Sequence, residues 1–274
     1  MPIMCKLITT SIENEQSPIA AEEFMKYKNY SSLENMKKCT GGQSPANVYQ
    51  CRLDSGNVYL KMIHKRYSGT TYSVRREADI MKWLSGKLNV PDVIESGEVN
   101  DEEFLIMSEI TGNHIDDYIK EPELYASYLA EAVHLLQKVD ISKCPFYSNV
   151  DMRLAELDFL LKNNLADVNT GNWEKTTEFT SPRELYKWLC DNKPSEEYVF
   201  THGDIGANLF VKNGEIFFYD LARMGIADRW VDIAFAVRSI RKKCPNYEQM
   251  FFDKLGVEPD YEKINYYILL DEMF

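Results

Sequence analysis

A change of pattern near residue 111 constrains this 274-residue chain more than any other feature. Upstream, from about residue 34, the chain reads as strands with a single helix. VYQCRL (48–53) and NVYLKMI (57–63) are β-rich runs on either side of DSG, a hairpin turn signal. A helix begins near Thr71, with Thr70 or Thr71 as its cap. Its apolar positions Val74, Ile80, Met81 and Leu84 recur at near-helical spacing. PDVIESGEV and EEFLIMSEI then read as two further strands around a turn. Downstream the helical period takes over. LYASYLAEAVHLLQKV (124–139) puts Tyr125, Leu129, Ala132, Leu136 and Val139 on one face, and DMRLAELDFLLKN (151–163) repeats the design. Strands YVF, LFV and EIFFYD interrupt it within 197–225, and three more helical stretches follow. A small β-rich part, a short connector and a larger helical part predict an α+β chain of two lobes. The expected divisions are a polar extension over 1–33 with a short helix around 20–27, a small lobe over 34–107, a hinge over 108–112, and a large lobe over 113–274.

Composition narrows the class. No apolar run approaches the roughly 20 residues needed to span a bilayer, and the N-terminus lacks the apolar stretch of a signal peptide. A cytoplasmic protein without a membrane partner is the expectation. The six cysteines form no CxxC pair and none stands near a histidine at metal-ligand spacing, so they read as reduced, mostly buried thiols. The formal net charge is -12. Residues 1–110 carry 13 basic and 15 acidic residues, and residues 111–274 carry 18 and 28. Nothing offsets phosphate repulsion, which excludes nucleic acid as an expected partner. The acidic second part suits a cationic substrate, and it equally suits plain solubility.

The chemistry-bearing residues follow an order. THGDIGANLFV brings Asp204 and Asn208 to a loop after a strand, and EIFFYD ends at Asp220. A phosphoryl-transfer site needs one carboxylate to orient the attacking hydroxyl and accept its proton. It also needs an amide oxygen and a second carboxylate to hold Mg²⁺. Read alone, HGD is as readily a loop with an Asx turn or a helix cap. Further upstream, Lys61 lies mid-strand and Glu77 lies on the predicted helix, 77 - 61 = 16 residues later. Such a pair orients an ammonium on the α- and β-phosphates of a nucleotide; separately, each is an ordinary surface residue. TGGQSPANVY (40–49) precedes Lys61 where a phosphate-covering loop belongs. Gly41 and Gly42 permit tight turns and Ser44 offers donors, although the same segment is also readable as a simple turn.

Around these positions the wording becomes specific. GGQSPANVYQC, NVYLKM, RYSGTTYSVRREADIMKWLSGKL, RLAELDFLL, THGD, YDLARMGIADRWVDIAFAVRSI and YYILLDEMF together resemble aminoglycoside 3'-phosphotransferases over about residues 38–274. The resemblance implies a protein-kinase-like bilobal fold that binds ATP and Mg²⁺ between its lobes. It implies Lys61 on the ATP phosphates, positioned by Glu77, with Ser44 in the phosphate loop. Tyr59 would stack on adenine, and Ser108 and Ile110 would hydrogen-bond to it through their backbones. Asp204 would be the catalytic base, with Asn208 and Asp220 as metal ligands. An aminoglycoside is a polycation, and Glu174, Arg223, Asp271, Glu272 and the terminal carboxylate of Phe274 match the family's substrate pocket. A monomer or weak dimer is the expected assembly.

Departures from the family stand out. The step from Asp204 to Asn208 is 208 - 204 = 4 residues, one shorter than in most members. Ala207 stands near where relatives can place an acid. Gly171 falls at a glutamate position of some relatives, and Lys242 and Lys243 replace acids. Each change lowers negative charge near the expected pocket, which predicts a narrower substrate range or a weaker affinity for the largest antibiotics. Two rival readings share the residues: a kinase of another small molecule such as choline, homoserine or a macrolide, and a nucleotide-binding module without catalysis, which only the shortened loop favours.

Overall fold

The computed structural model describes residues 24, 34–40, 44–53, 56–174 and 177–274. The expected helix around 20–27, Gly41 and Gly42, and the first two residues of the DSG turn lie outside the described residues, Phe24 apart. The chain forms two compact units. The first comprises residues 1–112 with 217–222, and the second residues 113–216 with 223–274. The short segment 217–222, assigned to the large lobe on sequence, therefore groups with the first unit.

The first unit is built on an antiparallel sheet in the order β1-β2-β3-β5-β4. Its strands are β1 (Glu34–Lys38), β2 (Asn47–Leu53), β3 (Gly56–His64), β4 (Val93–Val99) and β5 (Glu102–Ser108). The two-residue period of a strand decides which side chains meet. Val58, Leu60 and Met62 of β3 join Phe24, Tyr49, Cys51, Phe104 and Ile106 in a core on one face. Tyr59, Lys61 and Ile63 point to the other face, where helix α1 (Val74–Leu84) packs and buries Val74, Ala78, Ile80, Met81 and Leu84.

Helix α1 starts later than expected. Ser73, not Thr70 or Thr71, is its cap, accepting a hydrogen bond from Arg76 N. Thr70 is engaged in the preceding turn, where its hydroxyl donates to Tyr67 O and accepts from Tyr72 N. Buried Glu103 then accepts from the hydroxyls of Ser68 and Ser73 and from Arg75 N. A carboxylate at this end of α1 satisfies orphan N–H groups and suits the helix dipole.

The second unit is mostly helical: α2 (Pro122–Gln137), α3 (Val150–Lys162), α4 (Pro182–Asp191), α5 (Trp230–Lys243), α6 (Glu248–Leu255) and α7 (Tyr261–Asp271). Helix α5 runs through its interior and packs on α7, while α2 packs on α6. Short strands support the loops. β6 (Asn113–His114) pairs with β8 (Leu209–Lys212), and β7 (Tyr198–Thr201) pairs with β10 (Gly225–Asp228). β9 (Glu215–Phe218), whose last two residues are counted with the first unit, completes the β8 hairpin. Helix α4 is absent from the sequence expectation, although Leu185 and Leu189 are its buried positions at i, i+4. Buried Asp228 ties this unit together. It accepts from Tyr267 Oη at 2.8 Å, Lys263 Nζ at 2.9 Å and Glu197 N at 3.2 Å.

Candidate active site

In the first unit, β3 delivers Lys61 and α1 delivers Glu77. The Lys61 ammonium lies 2.8 Å from Glu77 Oε2 and 2.6 Å from Asp220 Oδ1. Burial works to strip the Lys61 charge, but the Asp220 and Glu77 carboxylates outweigh it and push its pKa well above the ordinary lysine value. Glu77 is shared: its second oxygen accepts from Leu221 N at 3.0 Å. Arg76 Nε donates to Ala222 O at 2.9 Å, and Phe218 N to Asn89 O at 2.9 Å. Segment 217–222 is thereby stitched to α1 and its following loop. Asp220 itself adopts a left-handed backbone (φ 57°), an uncommon conformation for a residue with a side chain. Its side chain keeps 43% of its exposure, whereas that of Lys61 keeps 8%.

Other expected nucleotide contacts are placed as follows. Ser44 Oγ accepts from Ala46 N, an internal turn contact. Tyr59 is buried, and its hydroxyl meets Gln50 and Glu109. Ser108 N already donates to Asp92 O, and Ser108 Oγ accepts from Asp92 N. The Ser108 amide, expected on sequence to be open to a ligand, is thus already engaged. Ile110 is half-buried on the chain that leaves β5.

In the second unit, the loop after β7 carries Asp204. Gly203 has φ 79°, and a Cβ there would stand 3.0 Å from Arg223 O, so the turn demands glycine. Asp232, in the first turn of α5, accepts from His202 N at 2.8 Å and Gly203 N at 2.9 Å. Burial, despite those two donors, pushes its pKa up to about 7. His202 Nδ1 accepts from Asp204 N at 3.2 Å, which assigns the ring proton to Nε2. Asn208 Nδ2 donates to Asp204 O at 2.7 Å and Asp204 Oδ2 at 3.0 Å. The amide oxygen of Asn208 is therefore the atom left to accept a cation.

The expected substrate residues gather around the end of α7, but their charges are largely matched. Asp271 accepts from Arg223 Nη1 at 2.6 Å and Arg238 Nη1 at 2.8 Å. Burial would raise its pKa, yet the Arg223 and Arg238 guanidinium groups hold it below the usual range. Glu272 accepts from Glu174 N at 3.0 Å, and burial pushes its carboxyl up. Glu174 pairs with Lys242 at 2.5 Å, and Lys243 pairs with Asp116. The Phe274 ring lies 3.6 Å from the Arg153 guanidinium. Arg238 and Asp232 are the residues that sequence reasoning missed. A signal was available for Asp232, an acid in the first helical turn of the WVDIAF run. Among the described residues no group of three or more His, Cys, Asp or Glu forms a metal cluster, and no helix is long and apolar enough to cross a membrane.

The chain is similar to known phosphotransferases. Residues 35–267 match a phosphotransferase enzyme family. An aminoglycoside 3'-phosphotransferase of Campylobacter jejuni is 55% identical over 252 residues, covering 91% of this chain and all of the relative. The crystal structure of an aminoglycoside-3'-phosphotransferase of type VIII superposes with a TM-score of 0.78 at 22% identity, covering 93% of this chain and 99% of that one. The aminoglycoside phosphotransferase APH(3'')-Id of Streptomyces rimosus, solved with ADP and streptomycin, gives a TM-score of 0.75 at 19% identity, covering 93% and 98%.

Proposed function

The chain belongs to the aminoglycoside 3'-phosphotransferase family, and from that premise we propose that it transfers the γ-phosphoryl group of ATP to the 3'-hydroxyl of aminoglycosides such as kanamycin and neomycin, conferring resistance to them. The observation that carries this reading is the buried Lys61 ammonium held by Glu77 and Asp220. An ammonium has three donors. Two meet the carboxylates, and the third remains to reach the triphosphate.

The roles follow from the donor sets. Lys61 binds the phosphates and Glu77 fixes its direction. Asp204 orients the 3'-hydroxyl and accepts its proton as the oxygen attacks the γ-phosphorus. The bond from that phosphorus to the bridging oxygen breaks, and ADP departs. Asn208 and Asp220 offer an amide oxygen and a carboxylate, hard donors that fit Mg²⁺, which would neutralise phosphate charge and take its remaining ligands from water and phosphate. Tyr59, Ser108 and Ile110 form the adenine end, and Ser44 belongs to the phosphate loop.

On the acceptor side, Glu174 and Glu272 face the antibiotic's ammonium groups, while Asp271 sets the direction of Arg223 and Arg238, and Phe274 borders them. A cytoplasmic location, where ATP is supplied, is part of the same proposal, as are a monomeric or weakly dimeric state and the lack of a nucleic-acid or membrane partner.

The test is ADP release with kanamycin, neomycin, ribostamycin and tobramycin. Turnover is expected with the first three. Tobramycin lacks a 3'-hydroxyl and should give none. Equal turnover with tobramycin, or none with any of the four, would overturn the reading.

A further inference from the structure

The loop from Asp204 to Asn208 is short, and its backbone is gripped from behind. Gly206 O accepts from Ser239 Oγ at 2.7 Å and lies 3.3 Å from Tyr125 Oη. Tyr125 Oη and Ser239 Oγ are themselves 2.7 Å apart. Tyr125 comes from α2 and Ser239 from α5, and both are buried. Each hydroxyl has one proton to give. With the Ser239 proton on the Gly206 carbonyl, Tyr125 serves as the donor in its short contact with Ser239, and its hydroxyl also reaches the Gly206 carbonyl directly. The result is a directed relay, Tyr125 to Ser239 to Gly206. Burial pushes the Tyr125 phenol well above its ordinary pKa, so it remains a donor across the working range of pH.

The seat also fixes the identity of Gly206. A Cβ at Gly206 would stand 3.2 Å from Phe235 O and 3.2 Å from Ser239 Cβ on α5. Any side chain there would press on α5, and the loop or the helix would have to give by a few tenths of an ångström. On the far side of Gly206, the His114 ring is hydrogen-bonded to the Ala207 backbone. Asp204 N is held by His202, and Asn208 closes back on Asp204. The loop thus has no slack of its own: the spacing between Asp204 and Asn208 is set where Gly206 is seated.

We propose that Tyr125 and Ser239 are positioning residues for phosphoryl transfer, seating Gly206 so that the short loop presents Asp204 and Asn208 at the spacing the reaction needs. The inference rests on the roles given above to Asp204 and Asn208.

A double-mutant cycle over Tyr125→Phe and Ser239→Ala tests it. Three quantities are read: thermal stability, steady-state constants with kanamycin, and ATP affinity at several free Mg²⁺ concentrations. Ser239→Ala should lower kcat about tenfold, since small misplacements of reacting groups are costly, and should raise the Mg²⁺ needed for half-maximal ATP binding. The KM for kanamycin should not move. Tyr125→Phe keeps the ring and leaves Ser239 able to reach Gly206, so its effect should be about threefold. Because Tyr125 acts mainly through Ser239, the double variant should lose less than the product of the two single effects. Unchanged kcat and Mg²⁺ dependence, with only a lower Tm, would reduce the pair to a packing contact and overturn the proposal. A wild type inactive on every aminoglycoside would sink the function instead, and the positioning claim would then be decided by the Mg²⁺ dependence of ATP binding alone.

Discussion

Lys61 and Asp204, the side chains proposed above to handle the phosphates and the proton, are each seated among polar neighbours, but the neighbours differ in kind. Around Lys61 they are charges: Glu77 and Asp220 lie within 2.8 Å. Around Asp204 they are mostly neutral groups: the His202 ring, the Asn208 amide and the Tyr125–Ser239 relay behind Gly206. Buried charges depend on one another, because removing one strands the rest. A loop held by neutral donors and acceptors tolerates loss of the side chain it presents, since its own backbone bonds stay made. The first arrangement couples function to stability. The second separates them.

The largest effect should come from Asp204→Ala. Loss of the general base lowers kcat by about 10³-fold or more, with Tm within a degree or two of wild type by calorimetry. A large drop in Tm would break the contrast. Next in size, Lys61→Ala leaves Glu77 buried without its cation and should destabilise the fold by about 3 kcal/mol in denaturant titration, besides weakening ATP binding. An unchanged midpoint would show that Glu77 simply takes up a proton.

Buried Asp232, which accepts from His202 N and Gly203 N in the loop that carries Asp204, sharpens the comparison through pH. With its pKa raised to about 7 by burial, the folded state keeps a proton that the unfolded chain has already released above the ordinary aspartate range. Stability therefore declines as pH rises from about 4 toward 7. Melting curves across that window should slope downward in the wild type and flatten in Asp232→Asn. The smallest effect should be at Lys242, more than half exposed and paired with Glu174. Lys242→Ala frees that carboxylate and should lower the KM for kanamycin about two- to threefold, less at high salt. A higher KM would mean that Lys242 itself supports substrate.

Much of the first unit was legible because strand and helix periods place Lys61 and Glu77 without knowledge of distant contacts. The two-residue period of β3 puts Lys61 opposite Leu60 and Met62, and α1 brings Glu77 to the same face. The cap of α1 was misplaced because Thr70, Thr71 and Ser73 are all good capping types, and only Ser73 aligns with Arg76 N. In the second unit the decisive partners are remote in sequence. Ser239 stands 239 - 125 = 114 residues from Tyr125, and Asp271 stands 271 - 223 = 48 from Arg223. Local pattern carries no record of such pairings. Asp271 therefore read as an acid for a cationic ligand, whereas both of its oxygens meet arginines. Helix α4 was overlooked because it has only two fully buried positions in a polar run.

If the Lys61 ammonium handles the nucleotide and the separately held Asp204 carboxylate performs the transfer, binding and turnover should come apart on substitution. Equilibrium binding of MgATP to Asp204→Asn and Lys61→Met, measured side by side by calorimetry, tests it most directly. The prediction is near-wild-type affinity without turnover in the first and clearly weakened affinity in the second. Lost ATP binding in Asp204→Asn, or intact binding in Lys61→Met, would contradict it.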